Sequence, residues 1–265
     1  MITAVTDLML EATERLIMPR FQALSSGQVR AKSGPRDLVT IADEEAECWL
    51  TPRLSALLPG SVVVGEEAVA SNPAVLEHLT GSAPVWLIDP VDGTWNFAAG
   101  EEDFCVMVAL VQRQVVQTGW IMEPMRSRVT IAQRGQGAWQ QHLSGGERSR
   151  LPGPPGGALP SLSGFAYHQP LKGRALPMTV RRLGSAGVEY VRLASGLDSF
   201  SLYDRNMPWD HAAGSLIVEE CAGTVAHTDG APYRPGPRPG PPLLSAPDPG
   251  CWRALREAMG LAPRG

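Results

Sequence analysis

Apolar residues recur at Val5, Leu8, Met9, Ala12, Leu16 and Ile17, close to the spacing of one helical face, and predict a helix over residues 1–24. A second such face, Ala46, Trp49, Leu50, Leu54 and Leu57, predicts a helix over 42–58 that Pro59-Gly60 stops. The β-branched run Ser61 to Gly65 predicts a short strand ending at an acidic pair. Val85 to Ile88 predicts another, running straight into Asp89-Pro90. Cys105 to Gln112 and Val115 to Ile121 are apolar runs expected as adjacent strands, and Val129–Ala132 and Gly137–Gln141 suggest two more. Helices are predicted around Ala186–Leu197, from about Ala212 to Cys221, and over Trp252–Met259, with a short strand at Leu243-Leu244. The first half thus reads as helices packed on a sheet. Leu151 to Pro160, with four prolines and three glycines, breaks regular structure. It is read as the junction between an N-terminal α+β subdomain, 1–150, and a C-terminal α/β subdomain, 151–265. Ala231 to Gly250 is expected as surface loop, and no internal repeat appears.

Composition narrows the class. The chain has 265 residues, 43% hydrophobic and 19% charged, which fits a soluble globular protein and excludes a disordered one. A net charge of -4 supplies no global positive field for a nucleic acid polymer. No apolar run of ~18 residues is present, so no membrane span is expected. Met1 to Arg20 mixes acids and bases with apolar residues and lacks the order of a secretory signal. Cys48, Cys105, Cys221 and Cys251 lie far apart with no C-x-x-C pair, so reduced thiols in a cytoplasm are expected and no zinc site is indicated.

The most informative segment is Trp86-Leu-Ile-Asp89-Pro-Val-Asp92-Gly-Thr94-Trp-Asn-Phe97. A buried strand delivers two carboxylates into a turn where Gly93 permits an unusual backbone angle. Held there, Asp89 and Asp92 can face one pocket, and a divalent cation most simply offsets their repulsion. Oxygen donors alone point to Mg²⁺ or Mn²⁺ rather than zinc. The N–H groups after Gly93 are placed to bind a phosphate oxygen. Read alone, the string also fits a surface turn whose Asp caps a helix. Gly65-Glu66-Glu67 likewise follows a strand. Asp210, before an apolar helical stretch, reads alone as an N-cap, and so does Asp43 at the end of a polar loop that begins at Lys32.

Taken together, four motifs resemble the inositol monophosphatase family of the lithium-sensitive, magnesium-dependent phosphatase superfamily. In the family's order they are K-S-G-P-R-D-L-V-T-I-A-D (32–43), G-E-E (65–67), D-P-V-D-G-T-W-N-F (89–97) and W-D-H-A-A-G-S-L-I-V-E-E-C-A-G (209–223). The resemblance covers about Lys32 to Gly230. It implies a layered αβαβα sandwich of the inositol monophosphatase and sugar phosphatase type, an α/β (α+β) fold. It also implies that Glu66, Asp89, the Val91 carbonyl, Asp92 and Asp210 hold two or three Mg²⁺ ions, with Mn²⁺ a possible substitute. Most of these ligands lie in 1–150, and 151–265 completes the site. Thr94 and Asp43, with Glu66, would orient and deprotonate the attacking water. Gly93 and Thr94 N–H groups would hold the phosphate, and Gly184, Ser185, Ala186 and Asp210 would contact substrate. Lys32 matches a lysine on a mobile loop near the site. The expected activity is hydrolysis of a small, inositol-phosphate-like monoester by direct in-line attack of metal-activated water, without a phosphoenzyme. Asp92→Asn is expected to abolish activity with the fold intact. Lithium inhibition and a homodimer are further expectations from the resemblance.

The sequence departs from the family's pattern where inositol-specific members carry a sugar-contacting glutamate. Counting seven positions back from Asp210 lands on Tyr203, with Asp204 and Arg205 next. Arg205 is read as solvent-facing or as a contact for an anionic substrate. Ala68 stands where many relatives carry serine. Trp95 replaces a frequent threonine and is expected as a packed core residue, with an indole at the pocket rim as the alternative, and His211 as a helix-surface or packing residue, with a place near the metals as the alternative. Alternative substrates are 3′-phosphonucleotides, histidinol phosphate or a sugar bisphosphate, and a non-catalytic metal- or phosphate-binding regulator is a second class. A haloacid-dehalogenase-type nucleophile needs Asp-x-Asp, whereas the spacing here is Asp-x-x-Asp. No phosphate-binding Gly-x-x-x-x-Gly-Lys-Ser/Thr loop occurs.

Overall fold

A computed structural model describes residues 1–34 and 37–261. Pro35 and Arg36 of the first motif, and 262–265 at the end of the expected C-terminal subdomain, lie outside the described residues.

Two sheets organise the chain. A hairpin, β1 (Val29–Gly34) with β2 (Asp37–Thr40), stands apart from both. The seven-stranded sheet runs in chain order: β3 (Val62–Gly65), β4 (Val85–Asp92), β5 (Cys105–Gln112), β6 (Val115–Glu123), β7 (Arg128–Gln133), β8 (Gly137–His142) and β9 (Ser149–Arg150). Only β3 and β4 pair in parallel; the rest is an antiparallel meander. The five-stranded sheet contains β10 (Ser163–Tyr167), β11 (Thr179–Arg181), β12 (Phe200–Tyr203), β13 (Thr224–His227) and β14 (Leu243–Ala246), in the order β11-β10-β12-β14-β13.

The helices are α1 (Ile2–Ala12), α2 (Ile41–Leu57), α3 (Glu66–Ser71), α4 (Thr94–Ala99), α5 (Ala186–Ala194), α6 (Pro208–Glu220) and α7 (Pro249–Ala258). Strand alternation sorts the core into layers. Trp86, Ile88, Val106, Val108, Trp120 and Met122 face one way and pack with Val5, Met9, Leu50 and Leu54 of α1 and α2. Leu87, Met107, Ala109 and Ile121 face the other way, against α5 and α6, whose far side meets Phe165, Tyr203 and Leu243. On the outer face of the smaller sheet, Phe200, Leu202 and Leu244 pack with Trp252 and Leu255 of α7. The result is the α-β-α-β-α sandwich, with α5 and α6 as its middle layer. Gly119 allows close packing there, because a Cβ on it would lie 2.8 Å from the Ala213 Cα.

The N-terminal helix is shorter than the 1–24 expected. Its α-helical part ends at Ala12 and continues as a π-turn, Thr13–Ile17, and a 3-10 turn, Met18–Arg20, with Pro19 near its start. The polar loop from Lys32 is instead the β1–β2 hairpin. Strands β10 to β13 were not predicted, being short segments that alternate with loops. Asp210 is not an N-cap: Met207 takes that place with Pro208 next, and Asp210 sits in the first turn of α6. Trp95 is not packed in the core but 49% exposed. Among the described residues no helix is long and apolar enough to cross a membrane.

Candidate active site

Strand β3 ends at Gly65, paired with Ile88, so β4 loses that neighbour just where Asp89-Pro90 begins. On its other side the β4–β5 register shifts between Asp89 and Asp92. A proline, which has no ladder N–H, is tolerated at such a break. The chain then turns through Gly93 at φ 89°, a left-handed conformation that favours glycine, and enters α4.

Three carboxylates from three elements meet here. Glu66 opens α3, Asp89 lies on β4 and Asp210 on α6, and one oxygen from each lies within 4.8 Å of the others. Burial, then Glu66, Asp92 and Asp210, holds Asp89 well above the usual carboxylate range. Burial, then Glu66 and Asp92, does the same to Asp210, while Arg205 opposes it. Crowded, desolvated acids of this kind are a hard-cation donor set, and an ion would relieve both costs. The residues therefore fit a Mg²⁺ or Mn²⁺ site. Here Lys32 answers part of the charge, its Nζ donating to Glu66 at 2.8 Å and to Glu67 at 2.6 Å. Burial works against that ammonium, but the two glutamates raise its pKa above the ordinary lysine value.

Asp92 is placed differently from its three companions. Its carboxylate accepts from Ser185 Oγ (2.5 Å), Gly187 N (2.7 Å), Ala186 N (3.2 Å) and Cys105 Sγ (3.4 Å). It thus anchors the start of α5, where Ser185 is the N-cap. Asp92 still borders the 250 Å³ cavity that holds Glu66, Asp89, Val91, Gly93, Thr94, Trp95 and Asp210. Ser185 is engaged by Asp92, whereas Gly184 is exposed at the cavity wall.

Thr94 and Asp43 do meet. Thr94 Oγ1 lies 3.2 Å from Asp43 Oδ1 and 2.9 Å from the Val91 carbonyl, alternative acceptors for its single proton. Asp43 Oδ2 accepts from Thr40 N at 2.9 Å and Thr40 Oγ1 at 2.5 Å, as the N3 residue of a capping box on α2. Burial pushes the Asp43 carboxyl up to about 7, against the Thr40 bonds.

Sequence reasoning missed two buried acids that support this site. Glu47 accepts from Glu67 N and Ala68 N, each at 2.8 Å, and so holds the start of α3. Its carboxylate fills the space beside Gly65, where a Cβ would lie 2.1 Å from its Cδ. The available signal was an acid four residues after Asp43 on the same buried stripe as Leu50 and Leu54. Glu189 accepts from Tyr203 OH (2.5 Å), Tyr167 OH (2.6 Å) and Leu183 N (2.8 Å), and Tyr167 OH takes Gly184 N at 2.7 Å. Nothing local in the sequence marked it. His211 packs: its ring lies 4.7 Å from that of Tyr203, and its nitrogens meet Tyr190 OH and the Arg205 carbonyl.

The same sandwich occurs in solved structures. The Thermotoga maritima IMPase aligns with a TM-score of 0.78 at 24% identity, covering 97% of this chain and 94% of its own. The extragenic suppressor protein SuhB from Bartonella henselae aligns with a TM-score of 0.76 at 24% identity, covering 97% and 98%. Sequence carries the assignment further. Residues 1–256 match the inositol monophosphatase family. The inositol-1-monophosphatase of Mycobacterium leprae is 36% identical over 261 residues, 91% of this chain and 86% of its own length. A fructose-1,6-bisphosphatase/inositol-1-monophosphatase of Thermotoga maritima is 29% identical over 211 residues, 76% of each. The chain belongs to the inositol monophosphatase family, and with it to the enzymes that hydrolyse phosphoric monoesters.

Proposed function

We propose that this chain is a Mg²⁺-dependent phosphatase that hydrolyses the phosphate ester of a small hydroxylated molecule by direct attack of water. One observation carries the reading: the Glu66, Asp89 and Asp210 oxygens gathered within 4.8 Å of one another, in the cavity that Thr94 also lines. Glu66, Asp89, Asp210 and, after release from α5, Asp92 are the residues that would hold the ions, with the Val91 carbonyl beside them. Bound divalent cations supply charge neutralisation at the phosphate, activation of water and stabilisation of the leaving alkoxide.

The chain's own part is orientation and proton movement. Thr94 Oγ1 accepts the proton of the attacking water as its own proton passes to Asp43 Oδ1, 3.2 Å away. Thr40 occupies the other Asp43 oxygen and so fixes which one faces Thr94. Gly93, Thr94 and Gly184 line the pocket where the phosphate sits, and Gly184, Ala186 and Asp210 face the leaving group. The names of the relatives support a sugar-like or inositol-like alcohol as leaving group.

Phosphate release by purified protein from inositol 1-phosphate, a nucleotide 3′-phosphate, histidinol phosphate and fructose 1,6-bisphosphate, with and without Mg²⁺, tests the proposal. Turnover that needs the metal is expected. Silence toward every ester would replace the phosphatase with a binding protein on the same fold.

A further inference from the structure

The segment joining β10 to β11 carries two basic stretches, Lys172-Gly-Arg174 near its start and Arg181-Arg182 at and just past the end of β11. The two strands pair in parallel, with Phe165 opposite Arg181, so the connection has to return to the end of the sheet from which it left. Both stretches thereby meet around one 290 Å³ cavity, lined by His168, Lys172, Arg174, Arg181 and Arg182. None of the described residues lining it is acidic, and Leu171 and Leu176 add apolar surface. It shares no lining residue with the 250 Å³ cavity of the carboxylates or with the 360 Å³ cavity that Gly184, Ala186 and Asp210 border.

The acids bonded to these side chains leave the positive charge in excess. Asp198 is buried and divides itself between Arg181 and Arg192 of α5. Asp204 accepts from His168 Nδ1 and from the Gln169 N–H, and it borders the other cavity. Two arginines are fixed by the backbone: Arg174 Nη1 donates to the Met259 carbonyl and Arg182 Nε to the Ala166 carbonyl, each at 2.8 Å. The Arg182 guanidinium also lies 5.2 Å from the centre of the Tyr167 ring. Each of those hydrogen bonds uses one nitrogen of a group that carries five N–H donors. Lys172 is exposed and brings an ammonium with three. Four like charges around one cavity repel one another, and an anion among them removes that cost.

We propose that this cavity is a second ligand site, separate from the carboxylate cluster, for a small organic phosphate bearing at least two negative charges. Guanidinium forks match pairs of phosphate oxygens, and the ammonium adds a point charge. The positive charge is confined to a concavity on a chain whose net charge is -4, which favours a small ligand over a nucleic acid polymer. The site stands independently of the hydrolysis proposed above.

Calorimetric titration of the full chain with sodium pyrophosphate, in EDTA at low ionic strength, tests the proposal. Without divalent ions the carboxylate cluster repels the probe, so the heat reports the basic cavity. Saturable binding at one site is expected, weakening as NaCl is raised. Lys172→Glu and Arg182→Gln should each weaken it by about five-fold or more, the loss of a charge-assisted contact. Thermal unfolding of Lys172→Glu without ligand should match the wild type, which separates lost binding from lost folding. No saturable binding by the wild type, or an affinity unmoved in Lys172→Glu, overturns the proposal. A short single-stranded RNA is titrated in parallel. RNA bound more tightly than pyrophosphate, and weakened by the same substitutions, also overturns it, by making the cavity part of a nucleic acid surface.

Discussion

Individual side chains here serve two masters, metal binding and folding, and the balance differs among the acids. Asp89 has burial and four nearby carboxylates (Glu66, Asp92, Asp210 and Asp43) against it, and the Val91 N–H, at 3.1 Å, in its favour. Without metal, Asp89→Asn should therefore stabilise the protein, by about 1 kcal/mol, while lowering turnover at least ~100-fold. Urea unfolding in EDTA, set beside phosphate release, checks both; a destabilised variant would contradict the crowding argument. Asp92 is the opposite case. With four donors on its carboxylate, Asp92→Asn should cost about 1–3 kcal/mol of stability as well as activity, so the substitution is not the silent probe that the sequence suggested. For the proton path, Thr94→Val should lower kcat by ~100-fold or more with little change in KM, and Thr94→Ser should keep most of it. Equal kcat in Thr94→Val and wild type would remove Thr94 from the mechanism.

At the scale of elements, the site depends on how helices abut strands. Helix α6 brings Asp210 to the cluster because Gly119 on β6 lets Ala213 approach closely. Gly119→Ala should destabilise by about 2–3 kcal/mol and reduce activity in proportion to the displacement of α6. Thermal unfolding and steady-state rates would show it, and an unchanged Tm would mean that the layers adjust freely. Helix α5 is tied to the substrate turn by Glu189, which burial, partly offset by its three hydrogen bonds, pushes up to about 7. The folded state thus binds a proton that the unfolded chain, at an ordinary 4.5, releases earlier. This contribution is complete below 4.5 and is lost as pH rises through about 7, to a total of about 3 kcal/mol. Unfolding free energies in EDTA between pH 5 and 8 should fall less steeply for Glu189→Gln than for wild type. Asp43 and Glu47, both pushed up to about 7, keep part of the slope in either protein. Identical slopes would mean that Glu189 is ionised throughout.

For the whole molecule, a ligand that binds only the folded form raises its stability by mass action, about 2.7 kcal/mol at a hundred times Kd. Mg²⁺ should accordingly raise Tm in a concentration-dependent way, and Asp89→Asn should abolish the rise. An unchanged Tm across millimolar Mg²⁺ would argue against the site.

The sequence alone determined the elements with strong periodicity and the inventory of acids at strand ends. Both are local: apolar spacing selects helix or strand, and Asp-Pro-x-Asp-Gly-Thr carries its own turn. The family's ordered motifs extended this to Glu66 and Asp210. Tertiary structure decided the rest. Glu66, Asp89 and Asp210 converge only because β3 and β4 end, and α6 begins, at one edge of the sandwich. Which way a carboxylate turns depends on neighbours distant in sequence. Thus Asp92 serves α5, Tyr203 turns inward to Glu189, Trp95 reaches the rim, and Arg205 borders three cavities. Register and packing between layers set those directions, and no short window of sequence contains them.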